Sequence, residues 1–418
     1  MAKKIILYLS AYNPNNTSPA AYECPVGGSV EGVQTNDAPV KYLLREHPDI
    51  SEILCLVTTE AEEKAWGRFQ KVVREANPEV RCHPIFIPDG KDFAQDILPK
   101  VISKTQEDDE IFLETTGGFR DAVMYLLLIS RALSYAGVKI SGAVYSNFND
   151  RKITDAMPII SLFDLIGGMQ EAASFGNVHT LREYYKKHAK NEHIEALLSA
   201  MEGLWGTIAL CRTEQLPERM EAFNAAMDGA EKHADPLMRA LLPAFRQKYG
   251  KKMTIPGVIK WCVESDMLQQ ALTIYKERIP GYILHERVKD ILSVDLADYA
   301  VPVLEYQEKE EVCFTRFRWL WLKPNKSVQE LDELSKFQVH CTNDQMRAIL
   351  NDYRYIQILR NLANHASGKE SEELKRDKKF LYTHNYKVAA QTTAKDVRTA
   401  IRNALENLRL CPRKETSK

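Results

Sequence analysis

The sequence predicts an α/β domain followed by an all-α region. Three observations carry this. Short β-branched runs alternate with amphipathic stretches through the first 165 residues. Beyond Asp164 the period lengthens to that of helices. Glycine and proline crowd the first part, with 11 Gly and 10 Pro in residues 1–170 against 8 and 8 in the longer remainder.

Ile5–Leu9 reads as the first strand, followed by Ile53–Thr58, Ile85–Ile87 with a Pro88-Asp89-Gly90 turn, Glu110–Glu114 and Ile140–Tyr145. A last strand over Pro158–Leu162 is expected to close the domain. Helical periodicity fills the gaps at Ala38–Glu46, Glu60–Ala76, Phe93–Lys104 and Phe119–Ala136. Apolar strands joined by helices form a parallel sheet covered on both faces, a Rossmann-like arrangement. The helical region then reads as segments 165–191, 193–213, 216–230, 236–249, 266–277 and 343–366. A final helix begins at Thr393, with Asp396 in the capping-box position. The charged stretch Gly368–Lys379 reads as a solvated loop.

Composition narrows the function. The 418 residues carry 56 Lys+Arg against 57 Asp+Glu, so no overall basic field advertises nucleic acid, and any such site must be local. An apolar content of 44% excludes wholesale disorder. Eight scattered cysteines without a CxxC read as thiols in a reducing compartment. The apolar run after Lys4 is five residues long, which fits a strand better than a signal peptide, and no stretch is long enough to span a bilayer. A soluble, cytoplasmic protein without membrane partners is the expectation.

Ligands of open parallel sheets bind at the carboxyl ends of the strands. Three loops fall there. The first runs from Ser10-Ala11-Tyr12-Asn13 through Gly27-Gly28 to Thr35-Asn36, long and polar. The second is Thr115-Thr116-Gly117-Gly118-Phe119-Arg120, and the third is Ser146-Asn147-Phe148-Asn149. The second places backbone N–H groups, a helix start and Arg120 at one spot, which suits phosphate. It is equally the form of an ordinary tight strand–helix turn. It is neither a Walker A loop nor a GxGxxG, so a dehydrogenase or P-loop enzyme is not indicated.

In the helical region one segment stands apart, Asn351 to His365. With Arg360 at zero and about 100° per residue, Asn364 falls near 40°, Gln357 near 60°, Asn361 near 100° and His365 near 140°. Tyr355, Leu359, Leu362 and Ala363 occupy the opposite arc. Arginine stabilises phosphate through bidentate hydrogen bonds, histidine moves protons near neutral pH, and RNA supplies its own nucleophile in the 2′-hydroxyl. The set fits metal-free RNA cleavage to a 2′,3′-cyclic phosphate and a 5′-hydroxyl. A solvent-facing polar stripe is the plainer reading of the same arc. Two other Arg/His pairs have similar spacing: Arg182/His188 lacks an adjacent amide, and Arg278/His285 spans Pro280, expected to break a helix. No HExxH, Cys/His cluster or GxSxG occurs, so no metal site and no serine hydrolase is expected.

Arg360-Asn361-Leu-Ala-Asn-His365 resembles the R-N-x-x-x-H signature of HEPN ribonucleases. The Rossmann-like domain, with Glu114-Thr-Thr-Gly-Gly-Phe-Arg120 after its fourth strand, resembles a CARF domain. Their order is similar to that of the CRISPR-associated CARF–HEPN ribonucleases of type III systems, over nearly the whole chain. The resemblance implies a CARF sensor at 1–165, a helical connector at 166–300 and a HEPN domain at 301–418. It implies a homodimer in which two CARF domains share one cyclic oligoadenylate and two HEPN domains build one site for single-stranded RNA. Thr116, Gly117, Gly118 and Arg120, with Ser10, Tyr12 and Asn13, would line the activator site, and Asn147 is a weaker candidate. Arg360 and His365 would be catalytic, with Asn361 orienting. No cofactor is implied beyond the activator, for which cyclic tetra-adenylate is favoured over hexa-adenylate. Some members also cleave their activator slowly, a role Ser10 and Thr116 could serve by positioning a ribose hydroxyl.

Residues 166–300 carry no motif matching that family. Phe314 to Lys323 interleaves aromatic and basic residues and reads as core helix with snorkelling arginines rather than an RNA platform. Lys375, Arg376, Lys378 and Lys379, just after the catalytic segment, are the better candidates for holding the RNA backbone. The alternatives are a CARF-type transcriptional regulator without nuclease activity, although no basic recognition helix is found, and an enzyme working from the first domain through Glu114.

Overall fold

The chain's own twist-compatible β-branched runs form an eight-stranded, mostly parallel sheet, seen in a computed structural model that describes residues 2–88, 90, 92–118, 121–188, 190–289, 309–339, 341–364, 372–384, 386 and 392–411. By packing, the chain divides into two compact units, Met1–Gly167 and Gly168–Lys418.

In the first unit the strands are β1 (Lys3–Tyr8), β2 (Ala20–Glu23), β3 (Ser29–Gly32), β4 (Ile50–Thr58), β5 (Arg81–Ile87), β6 (Glu110–Glu114), β7 (Lys139–Asn147) and β8 (Lys152–Asp155). Their order is β3-β2-β8-β7-β6-β1-β4-β5. The five central strands β7-β6-β1-β4-β5 are parallel, and strand order reverses between β1 and β6. This is the doubly wound pattern, and its switch point lies where Ser10 and Thr116 follow their strands. Alternation along β1 sends Ile5 and Leu7 to one core and Ile6 and Tyr8 to the other. Helices α1 (Asp37–Glu46) and α2 (Gly67–Ala76) cover the first face. Helices α3 (Leu98–Ile102) and α4 (Ala122–Tyr135) cover the second. Burial on both faces is why these strands read as continuous apolar runs.

Several expectations are corrected here. The first loop is not unstructured, because β2 and β3 form a hairpin within it. Pro158–Leu162 is not a strand: it opens helix α5 (Met157–Phe175), and the closing strand is β8. Proline is tolerated in a first helical turn, and Ile159, 64% exposed, shows that this run is not buried on two faces. The segment expected at 165–191 is two helices, α5 and α6 (His179–Lys186), parted at Gly176. Gly176 adopts φ +70 and packs against the Trp205 ring, so a Cβ there is both strained and crowded.

The second unit continues with α7 (Glu192–Ala209), α8 (Leu216–His233), α9 (Pro236–Gln247), α10 (Ile255–Glu264), α11 (Leu268–Arg287), α12 (Lys309–Leu322), α13 (Val328–Ser335), α14 (Asn343–Asn364), α15 (Glu372–Thr383) and α16 (Ala394–Leu410). Helix α11 runs through Pro280, contrary to expectation. Its neighbours Ile279, Ile283 and Leu284 are fully buried. Their burial, worth about 1.5–3 kcal/mol each, offsets a proline cost of about 3 kcal/mol. The charged stretch expected as a loop is helical from Glu372 onward.

Helices α11 and α14 lie antiparallel: Tyr353 donates to the Lys276 carbonyl at 3.0 Å. Beyond them, β9 (Val288–Lys289) pairs with β10 (Gln338–Val339). Asp352, buried on α14, accepts from Asn407 at 2.7 Å and Tyr386 at 3.0 Å, tying α16 to α14. Burial raises its pKa, and these two hydrogen bonds partly oppose the rise. As expected, α12 is a core helix, with Phe314, Phe317 and Leu320 buried. No helix among the described residues is long and apolar enough to cross a membrane.

Candidate functional site

Two separate places gather polar groups, one in each unit. The first is the carboxyl edge of β1 and β6. Asn36 enters it from the end of the first loop. Its amide nitrogen donates to the Tyr8 carbonyl at 3.1 Å and to the Glu114 carboxylate, and its oxygen accepts from the Ser10 N–H at 2.9 Å. Glu114 also accepts from the Thr116 N–H at 2.7 Å. Ser10 Oγ accepts from the Gly118 N–H at 2.8 Å, and Thr116 Oγ1 accepts from the Ser146 N–H at 2.7 Å. One network therefore joins Ser10, Thr116 and Gly118 across the switch point.

Glycine is required at both positions after Thr116. A Cβ on Gly117 would overlap the Tyr8 carbonyl and the Asn36 amide, and Gly118 sits at φ +97 against the Tyr8 ring. Glu114 is fully buried, which pushes its pKa up to about 7 against the pull of its hydrogen bonds from Thr116 and Asn36. Burial likewise lifts Tyr8 to about 12.

The other expected residues are placed as follows. Tyr12 is half-buried against the core beneath α1. Asn13 is exposed and bound into its own loop, its N–H donating to Gln34 Oε1 at 2.9 Å and its Oδ1 accepting from Asn15 at 3.0 Å. Asn147 shapes the β7–β8 turn, with Oδ1 accepting from Asn149 at 2.9 Å and Nδ2 donating to Asp150 at 2.8 Å. Arg120 lies outside the described residues. Sequence reading missed the hub of this network, Asn36. Its position just before α1 signals a helix cap, yet its side chain makes no cap bond and turns to the strand ends instead.

The second place is the polar arc of α14. Arg360 Nη2 lies 3.6 Å from Glu277 Oε1 on α11, and its buried Nε has no partner among the described residues. Thr213 Oγ1 donates to Glu277 Oε2 at 2.5 Å and holds that carboxylate. Nearly one turn back, Gln357 Oε1 accepts from Arg354 at 2.8 Å and from Arg318 of α12 at 3.3 Å. Arg354 also donates to Asp377 of α15 at 2.5 Å. Burial lowers the pKa of Arg318, which lies over the Tyr353 ring.

Asn361 is half-buried on the same helix, and His365 lies outside the described residues. On α15, Arg376, Lys378 and Lys379 are exposed while Asp377 is buried. Lys375 belongs to the same helix, and its side chain is outside the description. Arg318, Arg354 and Glu277 were not singled out from sequence. Arg354 was legible, because six residues before Arg360 is the same arc. Arg318 and Glu277 come from other helices, and no local pattern announces them. No cluster of three His, Cys, Asp or Glu suited to a metal occurs among the described residues.

No family profile matches the sequence, and neither does any curated protein. Among solved structures the chain is similar to Enterococcus italicus Csm6 bound to cyclic hexa-2′-fluoro-hexa-dAMP. The two are 12% identical, the match covers 97% of this chain and 93% of that one, and the TM-score is 0.40.

Proposed function

We propose that this chain is a metal-independent endoribonuclease for single-stranded RNA, switched on by cyclic oligoadenylate in type III CRISPR antiviral defence. The carrying observation is the arc on α14: a half-buried arginine that, among the described residues, has one loose ion pair and an unpartnered Nε, next to Asn361 and five residues before His365 in sequence. A guanidinium so incompletely neutralised has capacity left for a phosphate.

The reaction uses the substrate's own 2′-hydroxyl. Its oxygen attacks the adjacent phosphorus, the bond to the 5′-oxygen breaks, and a 2′,3′-cyclic phosphate and a 5′-hydroxyl result. His365 transfers the proton, Arg360 stabilises the charge on the non-bridging oxygens, and Asn361 orients the phosphate. Exposed Arg376, Lys378 and Lys379, with Lys375, track the RNA backbone.

The first unit is the sensor. Its switch-point network ends in hydroxyl and amide groups suited to ribose and phosphate oxygens, with Arg120 adding charge. Cyclic tetra-adenylate is the favoured ring. Activator binding acts by differential affinity for two arrangements of a homodimer. Exposed apolar rows on two helices support dimerisation: Met124 and Leu128 on α4, and Ile159, Phe163 and Ile166 at i, i+4, i+7 spacing on α5.

The test is cleavage of a fluorogenic single-stranded RNA in EDTA, with and without cyclic tetra- or hexa-adenylate. Cleavage that requires one ring and disappears in His365→Ala is expected. Absence of cleavage with either ring in folded protein, or an undiminished His365→Ala rate, overturns the reading.

A further inference from the structure

Between α10, the last turns of α11 and the end of α16 lies a cavity of about 350 Å³, apart from the α14 arc. It is walled by Leu405 and Leu408 of α16 and by Tyr282, with Lys260 and Arg409 at its rim. Arg287 lines it from the last turn of α11. That arginine is 3% exposed, and its Nε and Nη1 have no hydrogen-bond partner among the described residues. Its Nη2 donates to the Tyr282 hydroxyl at 3.3 Å, its guanidinium lies 5.6 Å from that ring's centre, and its charge acts on the Cys341 and Cys411 thiols.

A buried arginine with two unpartnered nitrogens is costly, because burial of charge is repaid only by pairing and hydrogen bonding. Three cationic side chains converge here. Among the described residues Lys260 has a loose ion pair with Glu264 at 3.7 Å, and it remains 63% exposed. The rest of the lining includes the Tyr282 ring and the apolar Leu405 and Leu408. Such a lining fits a ligand with an anionic end and an apolar or planar body. Arg287 lies ten residues beyond Glu277, the partner of Arg360, so the cavity is about 15 Å further along α11 and is distinct from the candidate catalytic arc.

We propose that this cavity binds a small organic phosphomonoester of mononucleotide size, with Lys260 and Arg409 on the phosphate, the buried charge of Arg287 attracting it from the cavity wall, and Tyr282 and the two leucines holding the body. Both a free nucleotide and the 5′-phosphorylated end of a short RNA carry this chemistry.

The test is calorimetric titration of the full-length protein with AMP, with inorganic phosphate, and with a pair of trinucleotides that differ only in a 5′-phosphate. Saturable AMP binding is expected, with phosphate alone weaker by at least tenfold. A surface variant, Lys260→Ala combined with Arg409→Ala, should weaken AMP binding at least tenfold while leaving RNA cleavage intact. Arg287→Met should abolish it, and if that variant fails to fold the rim variant decides. Preference for the 5′-phosphorylated trinucleotide over AMP assigns the pocket to RNA ends, and the reverse assigns it to free nucleotide. No binding at millimolar AMP, or binding unchanged in the rim variant, overturns the proposal whether or not the chain cleaves RNA.

Discussion

At the scale of single residues, Arg360 is neutralised only in part by its described surroundings. Glu277 holds it at 3.6 Å and is itself held by Thr213. Arg360→Ala is expected to lower the rate of RNA cleavage by about 10²–10³, the cost of removing one charge-stabilising donor, with little change in melting temperature. Glu277→Gln should lower it less, since the arginine keeps its helix position. Glu114 carries a different prediction. Burial raises its folded-state pKa from 4.5 to about 7, so the folded protein keeps a proton that the unfolded chain releases. The stability this contributes is present below the unfolded pKa and lost as pH rises through about 7. Denaturation midpoints at about pH 5 and about pH 8 should therefore show the wild type losing stability relative to Glu114→Gln as pH increases. A constant difference between the two proteins would show that Glu114 does not titrate in this range.

At the scale of elements, much of the first unit was legible because apolar strands and amphipathic helices differ in period. β6 falls where expected, at Glu110–Glu114, and α1 begins one residue early. Three elements escaped. The β2–β3 hairpin is short and half-exposed, so its four-residue strands carry little apolar pattern. The run at Pro158 is apolar without alternation, which periodicity alone cannot resolve into strand or helix. Helix α11 survives Pro280 through tertiary burial, which no local rule weighs. The candidate site divides in the same way. The arc from Gln357 to Asn361 was readable from spacing, whereas Arg318 and Glu277 reach it from other helices. Local signals with a mechanism were dependable: Thr393 and Asp396 form the capping box the sequence indicates. Thr393→Ala should destabilise the second unit by about 1 kcal/mol, read as a lower thermal midpoint with RNA-cleavage chemistry unchanged.

At the scale of the whole molecule, the chain carries a polar network at the switch point of one unit and a polar arc on α14 of the other. If the first unit is a sensor and the second an effector, as proposed, a ligand that binds two arrangements with different affinity is enough to couple them. The exposed stripe on α4 and α5 belongs to this scale. Replacing Met124 and Ile159 with Glu should shift sedimentation from dimer to monomer and remove activator-dependent cleavage, since a charge in an apolar interface opposes association. Retention of a dimer by that variant would place the interface elsewhere. In the proposed reaction the α14 arc directs the 2′-hydroxyl of RNA at its own phosphodiester. Mass spectrometry of the products formed in EDTA, from an otherwise 2′-deoxy oligonucleotide with one ribonucleotide, reads this directly. A 2′,3′-cyclic phosphate at that single ribose, a 5′-hydroxyl on the other fragment, and no product from Arg360→Ala are expected. A 5′-phosphate product, or cleavage at the deoxy positions, would contradict it.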